Sequence, residues 1–318
     1  MGEKSRILIT GGGGFIGSHL AEELKDNYLV RIFDKKYFSH QNIETFEEDV
    51  EVLEGDFHNI KDVEAAVDGV DVVIHLAWST LPAMSNANYR YDVETNIIPL
   101  LNALDLLNKK SIRKFIFISS GGTVYGNVEK MPIKEDEQTR PLCSYGITKL
   151  MAEKYLFLNR HLFDLDYTVL RLANPYGERQ NVQNRQGLIV TLLFDVIHRT
   201  PIEIWGNGTV VRDYLYIKDA ARCVKKAIPY QGTQKLFNVS SGEGHSINEI
   251  LETIAAVTGA SVDVRYKEAR KFDVQRNVLD NMLACRELGW RPEVGLEQGI
   301  EKVYQWMKRR SPEEIGHP

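Results

Sequence analysis

A chain of 318 residues with 43% hydrophobic content is an ordinary globular one, long enough to bury a substantial core as one large or two modest domains. A formal net charge of −5 with scattered Lys and Arg excludes the electrostatic footprint of a nucleic-acid or anionic-membrane binder. The three cysteines, Cys143, Cys223 and Cys285, lie far apart without CxxC spacing, which excludes a disulfide framework and a zinc site, and no N-terminal apolar stretch is long enough for a signal peptide or membrane span, so a cytoplasmic setting is expected.

Along the chain, short β-branched runs alternate with longer amphipathic segments. The run "RILIT" (6–10) reads as a strand and precedes a helix over 15–26; "LVRIFD" (29–34) and "VEVLEGD" (50–56) follow. Next come "VDVVIHLA" (70–77), a helix over 88–110, "KFIFISS" (114–120), a helix over 144–163 and "YTVLRL" (167–172). The nearly continuous apolar strands are those of a parallel sheet with both faces covered by helices. After "LANPYG" the elements shorten, with a polar loop "ERQNVQNRQG" and helices near 187–198, 218–228, 246–258 and 295–309. The spacing predicts one domain over 1–172 and a second over 173–318, some segments of which return to the first.

The stretch "ITGGGGFIGSHL" joins the first strand to the first helix and contains Gly11, Gly12, Gly14 and Gly17 in both GxGxxG and GxxGxxG spacing. The second strand ends in Asp34, where an acidic side chain binds an adenosine ribose. Glycines let the backbone approach a pyrophosphate, and the helix N-terminus offers it unpaired N–H groups. A carboxylate at Asp34 repels the 2′-phosphate of NADP, so NAD is the expected cofactor; Lys35 and Lys36 leave NADP as the alternative.

In "CSYGITKLMAEKYL", Tyr145 and Lys149 are four apart and share one helix face. A free tyrosine titrates near pH ~10, so a base near neutrality needs a shift of roughly three units, about 4 kcal/mol. A neighbouring ammonium and a cationic nicotinamide ring both favour the phenolate.

With these residues in place the chain resembles the extended short-chain dehydrogenase/reductase superfamily, in its nucleotide-sugar epimerase and dehydratase branch. The likeness runs from "GGGGFIG" through "VIHLA", "SSGGTVYG", "YGITK", "LRLANPYG" and "VRDYLYIKD" to "CRELGW". It implies an α/β fold, a doubly wound parallel (Rossmann) sheet that binds NAD, with a smaller mixed α/β C-terminal domain for the nucleotide sugar. It also implies cofactor contacts at Gly11, Gly14, Phe15, Ile16, Gly17, Asp34, Asp56, Phe57, Leu76, Ala77, Asn96, Tyr145 and Lys149. Asn174, Arg212 and Arg270 are implied on the sugar nucleotide, with Asp273 near its ribose; Lys267, Lys271 and Arg276 are alternatives to Arg270. Homodimerisation through the helices over 88–110 and 144–163 is part of the same implication.

The stretch "SSGGTVYG" (119–126) then falls at the carboxyl end of a central strand, facing the sugar. The family's dehydratases carry an Asp-Glu pair in this turn, and its decarboxylases a Glu before the Val-Tyr-Gly; here those places are Gly122 and Thr123. Its epimerases usually show three serines and use the third on the sugar O4, but that place is Gly121. Thr123 is the expected donor, with Ser119 and Ser120 as further candidates, unless Thr123 only caps the turn through its hydroxyl. His19 and His75 lack metal-ligand spacing and read as structural, so no metal is expected; Trp205 is a candidate to flank a uracil or a packing residue. The reading is a 4-epimerase of a UDP-hexose or UDP-N-acetylhexosamine with tightly held NAD. A 4-keto nucleotide-sugar reductase is the first alternative, and a nucleotide-sensing or scaffold protein on the same fold the second. Asn277, in "RNVLDNMLACRELGW", falls where UDP-galactose epimerases that reject N-acetyl sugars carry a tyrosine, so N-acetylated substrates are expected to be accepted.

Overall fold

The computed structural model describes residues 4–110, 112–182, 185–268, 274–311 and 315. Its first half runs β1 (Arg6–Thr10), α1 (Phe15–Leu24), β2 (Leu29–Asp34), β3 (Glu51–Glu54), α2 (Ile60–Ala66) and β4 (Val72–His75). It continues with α3 (Pro82–Ser85), α4 (Tyr89–Asp92), α5 (Ile98–Leu107), β5 (Lys114–Ser120), α6 (Ser144–Phe163) and β6 (Tyr167–Leu172). The remainder is β7 (Asn174–Tyr176), α7 (Leu188–Ile197), β8 (Ile202–Trp205), β9 (Val211–Tyr216), α8 (Ile217–Ala227), β10 (Leu236–Val239), β11 (Gly244–Ser246), α9 (Ile247–Thr258), β12 (Val264–Lys267), β13 (Arg276–Asn277), α10 (Met282–Leu288) and α11 (Leu296–Lys308).

Seven parallel strands form the main sheet in the order β10-β6-β5-β4-β1-β2-β3. Alternate residues of each strand feed opposite faces. Ile7, Ile9, Ile32, Ile74 and Ile116 pack with Leu20 and Leu24 of α1 and Val224 of α8, whereas Leu8, Phe33, Val73, Phe115 and Phe117 pack with Leu100 and Leu104 of α5 and Leu156 of α6. That two-sided burial is why the strands read as unbroken apolar runs. The order reverses beside β1, so the carboxyl ends of β1 and β4 open onto a crevice at the switch point.

Residues after 173 serve both units. Strand β10 closes the edge of the main sheet beside β6, and α8 lies against α1. A second sheet sets β9 between β11 and β13, with β7 also paired to β9, and β8 pairs β12. Helix α9 carries a capping box, Ser246 with Glu249, and stops at left-handed Gly259.

The helix predicted over 88–110 is instead α4, a π-helical turn over Val93–Ile97, and α5. Pro99 explains the break: its ring lacks an N–H and crowds the carbonyl four residues back, and the wider turn relieves both. No described helix is long and apolar enough to cross a membrane.

Candidate active site

The glycine turn after β1 is built for close approach. Gly11 has φ of +74°, and a Cβ there would stand 3.0 Å from the Ala77 nitrogen. A Cβ on Gly17 would lie 2.3 Å from the Gly11 carbonyl oxygen, so α1 tucks against the turn only because both positions are bare. Gly14 caps α1 without a side chain, which leaves the helix N-terminus open to an anion. Asp34 at the end of β2 is fixed by the N–H of Gly13 (2.9 Å) and of Lys35 (2.8 Å); burial pushes its carboxyl up and those two N–H groups hold it down.

One cleft of about 670 Å³ gathers Gly11, Gly14, Phe15, Ile16, Gly17, Asp34, Asp56, Phe57, Leu76 and Ala77, together with Trp78 and Gln186. An adenosine-side carboxylate, a bare glycine cradle and an open helix N-terminus in one groove fit NAD. Asn96 stands elsewhere, because it is buried behind the strap that follows β4. Its Oδ1 accepts from the Ser79 N–H (2.7 Å), and its Nδ2 donates to Thr80 Oγ1 (3.1 Å) and Asp92 Oδ1 (2.9 Å). The side chain therefore ties the strap beside the cleft to the π-helical turn.

Helix α6 brings Tyr145 and Lys149 to the same end of the sheet. Lys149 is buried; its Nζ donates to the Ile118 carbonyl (2.9 Å) and lies 3.8 Å from the Trp78 ring centre and 5.6 Å from that of Tyr145. Burial lowers its ammonium to about 7, against the pull of Glu153 and Asp92. Tyr145 goes the other way: burial, then Cys143 and Asp92, push its hydroxyl well above its ordinary value. A bound nicotinamide ring would add positive charge beside that hydroxyl and favour the phenolate. Trp78, the aromatic plate beneath the ammonium, is a site residue that sequence reasoning passed over. Its position directly after Leu76 and Ala77 was the available signal.

The hydroxyls of the turn after β5 divide. Ser119 Oγ donates to Glu153 Oε1 (2.5 Å), and Arg171 grips the same carboxylate through Nε (3.0 Å) and Nη2 (2.6 Å), all buried. Ser119 thus commits its proton to the core. Ser120 is half-buried, and its Oγ and Asn174 Oδ1 both stand within 4.0 Å of where a Cβ on Gly122 would be. Thr123 Oγ1 is buried and has no hydrogen-bond partner among the described residues. The Gly146 backbone of α6 presses on the Thr123 carbonyl, with an added Cβ only 2.7 Å away, so the threonine lies beside the start of the helix that carries Tyr145.

The second sheet supplies the other wall. Asn174 on β7 donates to the Asp213 carbonyl (2.8 Å), while Arg212 on β9 stands in register with Asn277 on β13. Asn277 is buried; its Nδ2 donates to the Gly121 carbonyl (3.2 Å) and its Oδ1 has no partner among the described residues. Trp205 is exposed on β8 with Lys267 over its ring. Arg270 and Asp273 lie outside the described residues.

A dinucleotide cleft at the switch point, with a tyrosine–lysine pair and a hydroxyl-bearing turn at its nicotinamide end, defines an NAD-dependent enzyme of the short-chain type. Residues 7–240 match the model of the NAD dependent epimerase/dehydratase family, and the chain belongs to that family. It is 33% identical to the dTDP-4-dehydro-6-deoxyglucose reductase of Escherichia coli, over 94% of this chain and 96% of that one. It is 30% identical to the UDP-glucose 4-epimerase of Mycolicibacterium smegmatis, covering 96% and 99%. The solved UDP-glucose 4-epimerase of Thermotoga maritima with UDP-glucose superposes with a TM-score of 0.90 at 33% identity, covering 96% of this chain and 99% of that structure.

Proposed function

We infer that this protein is an NAD-dependent nucleotide-sugar 4-epimerase acting on a UDP-hexose or UDP-N-acetylhexosamine. The observation that carries the reading is the turn at 119–126: it brings Ser120, Gly122 and a partnerless Thr123 hydroxyl to the site and no carboxylate, so elimination lacks its acid–base agent. Held in this cleft, a bound NAD would supply reversible hydride acceptance for the sugar C4. Tyr145 accepts the O4 proton and gives it back, Lys149 supplies positive charge to the phenolate, and Thr123 donates a hydrogen bond to O4. The glycine turn, Asp34, Asp56, Phe57 and the Leu76–Ala77 backbone hold the dinucleotide; Asn174, Arg212, Arg270 and Asp273 hold the nucleotide sugar.

Asn277 is small and carries an unsatisfied amide oxygen, which supports room and a polar partner for an acetamido group. The comparison of kcat/KM on UDP-GlcNAc and UDP-Glc tests that reading, and a strong preference for UDP-Glc contradicts it. Homodimerisation is supported by the exposed apolar side chains that α5 and α6 carry, Ile98, Ile147, Phe157, Leu158, Leu162 and Phe163. A cytoplasmic setting goes with three free cysteines.

Tyr145→Phe removes only the ionisable hydroxyl. It is expected to reduce epimerisation below roughly a tenth of wild type while NAD and UDP-sugar still bind; activity above that level contradicts Tyr145 as the base. The E. coli likeness keeps a 4-keto reductase as the second reading. A reductase consumes cofactor with each turnover, and an epimerase does not.

A further inference from the structure

Asp92, the last residue of α4, is fully buried and forms no ion pair among the described residues. Its Oδ1 accepts from Thr80 Oγ1 (2.5 Å) and Asn96 Nδ2 (2.9 Å). Its Oδ2 accepts from Ser144 Oγ (2.6 Å), with Thr148 Oγ1 at 3.2 Å. Neutral donors satisfy the carboxylate without neutralising it, which is a costly arrangement unless the charge or the geometry is used.

The donors come from three segments: the strap after β4, the π-helical turn, and the first turns of α6. Ser144 and Thr148 are four apart and form one stripe of α6; Tyr145 and Lys149 are the adjoining stripe, rotated by about 100°. The N-terminus of α6 is held from the same side. Cys143 gives it no side-chain cap, and the N–H groups of Ser144 and Tyr145 instead donate to Asn86 Oδ1 (2.9 Å) and Ser85 Oγ (3.0 Å) at the end of α3.

We propose that Asp92 is a positioning residue, whose carboxylate fixes the rotation of α6 and thereby sets Tyr145 and Lys149 against the strap that covers the dinucleotide cleft. The assignment rests on Tyr145 being the base. The fixed negative charge also acts on the pair. Facing it are Cys143 at the cap of α6 and Tyr145 and Lys149 on α6, with Glu153 one turn further; on β4 stands His75, kept neutral by burial, and Glu94 in the π-helical turn is paired with Arg90. Removing the Asp92 charge makes both deprotonations of the Tyr145–Lys149 pair easier, so both midpoints move to lower pH.

The test titrates phenolate absorbance in NAD-loaded Asp92→Asn, with the matching Tyr145→Phe protein subtracted. The Tyr145 midpoint is expected to fall by about one unit. In a companion variant, Ser144→Ala/Thr148→Val, kcat on a UDP-sugar is expected to fall roughly tenfold with KM and NAD retention unchanged. An unmoved midpoint in a folded Asp92→Asn protein overturns the proposal, as does wild-type kcat in the companion. Should Asp92→Asn fail to fold, the companion alone decides. A wild type that epimerises nothing sinks the functional reading, and the titration still judges Asp92.

Discussion

Ser119 lies at the end of β5 and Thr123 in the turn that follows it, and their hydroxyls have different work. The first donates into a buried carboxylate already gripped by Arg171; the second has no partner among the described residues. Thr123→Val is therefore expected to lower kcat by roughly ten- to a thousandfold with little change in KM, the pattern of a hydrogen bond made in the transition state. Ser119→Ala is expected to leave kcat within a factor of about two and to cost about 1–2 kcal/mol of stability, read by denaturant unfolding, because it strips a donor from Glu153. A crippled Ser119→Ala beside a normal Thr123→Val reverses the assignment. The sequence displayed these hydroxyls as a group but did not sort them, because the sorting agent is Glu153, 34 residues further along the chain.

At the scale of elements, Gly121 shows why the third serine of the turn is absent. A Cβ there would lie 2.3 Å from Leu279 Cδ1, which follows β13 and fills the space under the turn. Gly121→Ser is expected to destabilise the fold by about 1–3 kcal/mol without raising kcat, and Leu279→Ala in the same chain to relieve the added overpacking. The check is the pair of unfolding midpoints; a Gly121→Ser protein as stable as wild type contradicts the packing account. Six of the seven main-sheet strands were legible as β-branched runs alternating with helical segments; β10, four residues long and distant in the chain, was not. The second sheet was not, since β7, β11 and β13 are two or three residues long, too short for any alternation to register. The π-helical turn that carries Asn96 was hidden for a related reason: a helix-period pattern does not reveal where one extra residue is accommodated.

The whole molecule carries two buried histidines that fold neutral. His19 is held at the Phe15 carbonyl, and His75 sits among Phe57, Trp78 and Phe117 with Nδ1 2.8 Å from Thr10 Oγ1. Burial lowers each from 6.5 to about 3. Their folded values lie below the unfolded one, so the unfolded chain binds the protons first, and stability falls as pH drops through 6.5 toward 3. By pH ~4 each contributes a loss of roughly 3 kcal/mol. Tm measured from neutral pH downward is expected to fall more shallowly in His75→Gln than in wild type, and parallel curves contradict the assignment.

The central claim is that this chain inverts C4 of a nucleotide sugar without net oxidation or reduction. The measurement that tests it most directly incubates the purified protein, carrying only the NAD it retains through gel filtration, with UDP-Glc or UDP-GlcNAc and follows both C4 epimers by chromatography. The account predicts conversion to an equilibrium mixture over many turnovers, reached from either epimer, with no added cofactor. An enzyme that leaves both epimers untouched, and instead reduces a 4-keto nucleotide sugar with one equivalent of reduced nicotinamide cofactor consumed per product, would contradict it.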